Sequence, residues 1–119
     1  MNVKTSNLVG PALDYAVMVC LHPNNVGKVE FFHELRNRHA LHVSFHYSTD
    51  WSQGGPIIER ERILIQPEIG KEGCGNAWNA ISMADTEAYG PTPLVAAMRC
   101  YVASKLGDEV DVPDELRSK

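Results

Sequence analysis

Cysteine is scarce in this 119-residue chain: Cys20, Cys74 and Cys100 form an odd set with no C-x-x-C spacing. That excludes a zinc framework or a secreted disulfide scaffold, and the expected compartment is a reducing cytoplasm. Basic residues are also few, 11 against 15 acids for a net charge of -4, and none cluster. A nucleic-acid surface needs several Lys or Arg along one face, so direct nucleic-acid binding is not expected. Long apolar runs are missing as well. The first one, ALDYAVMVCL (12–21), contains Asp14 and ends at His22-Pro23. It is too short to cross a bilayer and does not read as a signal peptide, so no membrane partner is expected. There is no G-x-G-x-x-G, no lysine after a glycine pair as in a phosphate loop, no repeat and no interdomain linker.

The chain that remains has one domain's length, 44% hydrophobic residues and 22% charged ones, enough to close a core without staples. Charge is uneven. Asp108, Glu109, Asp111, Asp114 and Glu115 face only Arg117 and Lys119 near the C-terminus, while residues 1–106 are close to neutral. The expected organisation is a globular domain over 1–107 and an acidic tail over 108–119, with a short segment around Val110–Val112.

NVKTSNLV (2–9) suits a short strand, with turn chemistry at Thr5-Ser6-Asn7. Pro11 suits the first position of a helix over 11–21, whose Leu13, Ala16, Val17, Cys20 and Leu21 share a face. Residues 29–39 read as a short helix. In ALHVSFHY, Leu41, Val43, Phe45 and Tyr47 alternate with His42, Ser44 and His46, which predicts a strand over 41–47. Residues 63–67 and 76–84 suit an antiparallel hairpin, and 85–91 reads as a connection. The clearest element is TPLVAAMRCYVASKLG (92–107), with Thr92 as cap, Pro93 at the first position and Gly107 as a left-handed stop. Leu94, Val95, Met98, Val102 and Leu106 gather on one side of it. Ala96, Cys100 and Ala103 lie opposite, a surface of small side chains that would let a second backbone approach. The fold class is therefore α+β: one domain with a small, mainly antiparallel sheet of three to five strands and helices packed on its faces.

Candidate sites are few. His42 and His46 would lie about 13 Å apart on one strand face, too far for one ion, and His33 and His39 do not complete a ligand set. Cys74, between Gly73 and Gly75 and near Lys71, lacks a recognisable base. Asp50, Glu59 and Glu61 with Arg60 and Arg62 read as a solvated, mutually screened face rather than an acid/base pair. No metal, cofactor or catalytic residue is expected. The stretch YSTDWSQGGPIIERE (47–61) is the one candidate ligand site. Ser48 or Thr49 would cap a turn carrying Asp50, Trp51 and Gln53, the Gly54-Gly55 pair would bend it, and Pro56 would restart a helix. Free N–H groups at such a turn, 48–56, could hold an anion or nucleotide, in a small binding protein or a hydrolase. On the other reading Trp51, Ile57 and Ile58 simply anchor the bend in the core. The leading expectation is a non-enzymatic protein-binding module.

That stretch, together with YGPTPLVAAMRCYVASKLGDEVDVPDEL (89–116) and VKTSNLVGPALDYAV (3–17), resembles the NinX-like family of small proteins from lambdoid phages and prophages. The S-T-D helix start and the later T-P-L helix are also similar to broader phage domains described as small α-β-α sandwiches. Those domains carry an uninterrupted helix where this chain has Gly54-Gly55-Pro56. The resemblance implies an accessory protein in the bacterial cytoplasm and no catalytic residues. Expected partners are a host or phage protein, or a second copy of the chain in a homo-oligomer.

Overall fold

Thr92 starts the helix around which the rest is arranged. In the computed structural model, which describes residues 2–21, 46–67 and 77–112, its hydroxyl accepts from Val95 N at 3.1 Å, and Pro93 needs no donor in the first turn. The helix runs over Pro93–Leu106 (α3) and buries Leu94, Val95, Ala96, Ala97, Met98, Cys100, Tyr101 and Val102. Those positions occupy more than one face, so α3 is enclosed rather than laid on a surface. It ends at Gly107, whose φ of 90° and ψ of -160° are open to glycine but not to side-chain-bearing residues. The stop is glycine's, as expected, but the extended ψ sends the chain straight into a strand.

On one side of α3 lies an antiparallel sheet of β2 (Leu64–Pro67), β3 (Trp78–Ile81) and β4 (Glu87–Gly90), in that order. The expected hairpin is present, with Ile65 opposite Ala80 and Pro67 opposite Trp78. Residues 85–91 are not a mere connection, because Glu87–Gly90 pairs with β3, Ala80 facing Ala88. Alanine and glycine have low strand propensity, which hid this strand from a periodicity reading. Tertiary packing overrides propensity here. A Cβ on Gly90 would come 2.7 Å from Ala96 N and 3.0 Å from Val95 Cγ1, so β4 and α3 touch through small residues. The turn that joins β3 to β4 has the Asp85 N–H on Ser82 O at 3.0 Å and Asp85 left-handed at φ 66°. That is a three-residue hairpin with aspartate at the bulge position.

A second sheet pairs β1 (Asn2–Lys4) with β5 (Glu109–Asp111), antiparallel, Val3 opposite Val110. Thr5 extends this ladder through its N–H to Asp108 O at 2.7 Å and its hydroxyl to Gly107 O at 2.6 Å, at the start of a 3₁₀ turn over Thr5–Asn7. Val110 and Val112 are buried. Residues 108–112 therefore belong to the globule and not to a tail; apolar burial outweighs their acidity, since the charged side chains alternate outward. The architecture is α+β, with two small antiparallel sheets.

α1 (Gly10–Leu21) packs on α3 and is buried without a break from Ala12 to Val19. The expected single apolar face is too narrow a description, and Cys20 and Leu21 from that face are only half-buried. The expected strand over 41–47 does not extend to its end, since Tyr47 opens a turn over 47–49 that closes on His46 O. Its first part, 41–45, and the expected helix over 29–39 lie outside the described residues. No helix among the described residues is long and apolar enough to cross a membrane.

Met98 has no solvent exposure at all. Met98→Asp should cost several kcal/mol, because an unpaired carboxylate would be buried at the centre of α3. Circular dichroism on heating should show no cooperative transition. A soluble variant melting at the wild-type temperature would rule out this core.

Candidate functional site

The stretch 47–61 folds as one turn and one continuous helix, α2 (Trp51–Glu61). Asp50, not Ser48 or Thr49, is the cap. Its carboxylate accepts from Ser52 N at 2.9 Å and Ser52 Oγ at 2.7 Å, which holds its pKa below the usual value. Gln53, third in the helix, reaches back so that its Oε1 accepts from His46 N at 2.8 Å. The D-W-S-Q spacing matches that of a capping box, but the reciprocal bonds of that motif are replaced by Asp50 on Ser52 N and Gln53 on His46 N.

Gly54, Gly55 and Pro56 do not break the helix. Pro56 and Ser52 are both exposed, so water can serve the Ser52 carbonyl that loses its helical donor. Gly54 is required by packing: a Cβ there would lie 2.5 Å from Tyr47 O and 2.7 Å from Leu94 Cδ1. Gly55 meets nothing closer than Trp51 Cε3 at 3.9 Å. Trp51 does not anchor the core; it is 55% exposed and lies over Gly55, whereas Ile57 is buried and Ile58 half-buried. Arg62 at φ 55° ends the helix, with Ile63 N on Ile58 O at 3.1 Å.

Six N–H groups of the expected anion turn, those of Ser48, Thr49, Asp50, Ser52, Gln53 and Gly54, already have acceptors within the chain. Ser48 N donates to Asp14 Oδ1 at 3.0 Å. Thr49 N and Asp50 N donate to His46 O, while Gln53 N and Gly54 N donate to Asp50 O. With the Asp50 carboxylate on Ser52 N, the positive end of α2 faces an acid of its own.

Asp14 is buried and comes from α1. Burial raises its pKa, partly offset by the Ser48 N–H, the Ser48 side chain and the charge of His46. The Ser48 hydroxyl is buried beside this carboxylate without completing a hydrogen bond. Burial also pushes Tyr47 up to about 12, with the charge of Asp14 adding to it.

Among the described residues the free thiols are Cys20 and Cys100. Burial pushes the Cys20 thiol up to about 12 and Cys100 up to about 11, so both stay protonated near neutrality. Cys100 Sγ donates to Thr86 O at 3.2 Å. In the E-R-E-R run, Arg60 pairs with Glu61 at 3.0 Å and donates to Tyr101 Oη at 3.3 Å, with Lys105 3.7 Å from Glu61. These charges are tied to one another at the end of α2. Cys74, His33, His39 and His42 lie outside the described residues; His46 is exposed.

One concavity was missed by sequence reasoning. A groove of about 860 Å³ runs beside β4, between Glu87–Gly90 and the strip formed by Lys4, Thr5, Asp108 and Glu109. Ala88, Gly90 and Ala103 contribute small side chains to its lining, and Arg99 is half-buried in it. Only pairing of β1 with β5 brings Lys4 and Glu109 together, a neighbourhood that chain order does not reveal.

A single α+β globule around an enclosed helix, with an open groove beside β4, the outer strand among those described, is the class that this geometry defines. Residues 4–105 match the family model described as bacteriophage P22, NinX, and the chain belongs to that family. Membership makes it a phage accessory protein. No curated protein matches it.

Two predictions follow from the turn and its anchor. Gly54→Ala should destabilise by about 1–3 kcal/mol through overpacking, whereas Gly55→Ala should stabilise by about 0.5–1 kcal/mol through helix propensity; urea unfolding distinguishes them. Asp14 has a folded pKa above 3.8. Its contribution is therefore fully present below that value and is lost as pH rises through the folded pKa. Asp14→Asn keeps an acceptor for Ser48 N, so its stability relative to wild type should rise between pH 4 and pH 8 in urea titrations. A pH-independent difference would reject the assignment.

Proposed function

We propose that this phage accessory protein is a non-enzymatic protein-binding module that docks an extended segment of a host or phage protein in the groove beside β4. The observation that carries the reading is the groove's position along an edge strand. Among the described strands β4 pairs only with β3, and the small side chain of half-buried Ala103 leaves room for a main chain. Addition of a strand to a sheet edge draws affinity from backbone hydrogen bonds and specificity from alternate side chains. The volume is also in the range of ordinary binding sites. The protonated thiols and internally paired charges elsewhere favour binding over catalysis. The place of action would be the cytoplasm of the infected cell.

The test is a randomised peptide library displayed against the whole chain, with affinities measured by fluorescence anisotropy. Peptides selected on wild type should lose at least about tenfold in affinity, roughly 1.4 kcal/mol, for Ala103→Arg, which fills the groove from a half-buried position and should melt normally. Binders indifferent to Ala103→Arg, or none at all, would sink the groove as the docking surface. Selection of this protein's own segments would identify the partner as a second copy.

A further inference from the structure

We propose that Arg99, assisted by Lys4, receives a carboxylate of the segment docked in the groove; this rests on the groove reading and names what the groove recognises. Arg99 Nε donates to Leu8 O and Nη1 to Tyr89 O, each at 2.8 Å. Those two bonds hold the plane of the guanidinium fixed. A guanidinium has five N–H donors, so three remain for a ligand in a fork that fits a carboxylate. The acceptors that orient it are neutral carbonyls. No carboxylate among the described residues forms an ion pair with Arg99, and burial lowers its pKa with no acid compensating. A half-buried cation without a counter-charge favours an anion from outside.

Lys4 lines the same groove and adds a second cation. Glu87, Asp108 and Glu109 line it too, all exposed. Their presence separates one anionic ligand from another. A nucleic-acid backbone would bring successive phosphates against these acids, whereas one carboxylate with basic neighbours offers an anion to half-buried Arg99 and cations to exposed Glu87 and Asp108. The ligand class is thus an extended peptide with a single carboxylate flanked by Lys or Arg.

The experiment follows the Arg99 Nε–Hε resonance of the full chain by NMR while blocked Lys-Val-Glu-Val-Lys is added. Two comparison probes carry Gln for Glu, one blocked and one with a free C-terminal carboxylate. The Glu peptide should move Arg99 saturably, the blocked Gln peptide should not, and Lys4→Gln, at an exposed position, should weaken the response. A response to the free-ended Gln peptide alone would identify the carboxylate as a chain terminus. If no carboxylate-bearing probe moves Arg99, or the blocked Gln peptide moves it equally, the proposal is overturned. Library binders that fail on Ala103→Arg while Arg99 ignores carboxylates would refute the carboxylate and keep the groove. An Arg99 response without groove-dependent binders would do the reverse.

Discussion

Everything in this protein depends on burying α3 from all sides. Leu94 to Met98 and Cys100 to Val102 have almost no exposure, so the sheet, α1 and α2 must each supply a surface to it. Close approach is achieved by removing side chains at two contacts. Gly90 lets β4 come up to Ala96, and Gly54 lets α2 settle on Leu94 beneath the Tyr47 carbonyl. Apolar burial of this kind is non-directional, and these small residues turn it into a specific packing.

Polar groups then determine how the surrounding pieces attach. Asp14 sends a buried carboxylate from α1 to the Ser48 N–H and so fastens the turn that precedes α2. Asp50 and Gln53 complete the start of that helix. Thr5 joins the N-terminal strand to the end of α3 through Gly107 and Asp108. Each of these groups holds the fold, and the polar stretch 47–56 is the joint between α1 and α2.

The groove has the opposite character. It lies where the two small sheets fail to meet, and its walls are a sheet edge and a strip brought together by β1 and β5. Arg99 reaches it from α3 and is held by two carbonyls distant in sequence, those of Leu8 and Tyr89. Membership of the phage family makes the chain a phage accessory protein, and the groove is where the proposed docking would have room.

Thr92-Pro93, Gly107, the 63–67 and 76–84 runs and the family motifs were legible because they are local: caps, breakers and period-two runs act over a few residues. By themselves they established the α+β class, α3 and the central hairpin. The misreadings share one cause. β4 was hidden because Ala88 and Gly90 serve a helix packed across them, and α2 read as broken because Gly54 answers to Leu94. Val110 was grouped with acidic neighbours because its partner, Val3, lies at the other end of the chain. The groove was invisible for the same reason, since Lys4, Arg99 and Asp108 become neighbours only after folding. Local chemistry in the sequence determined the elements; only long-range contacts, those of α3 and the pairing of β1 with β5, decided which small residues were essential and where an open surface remained.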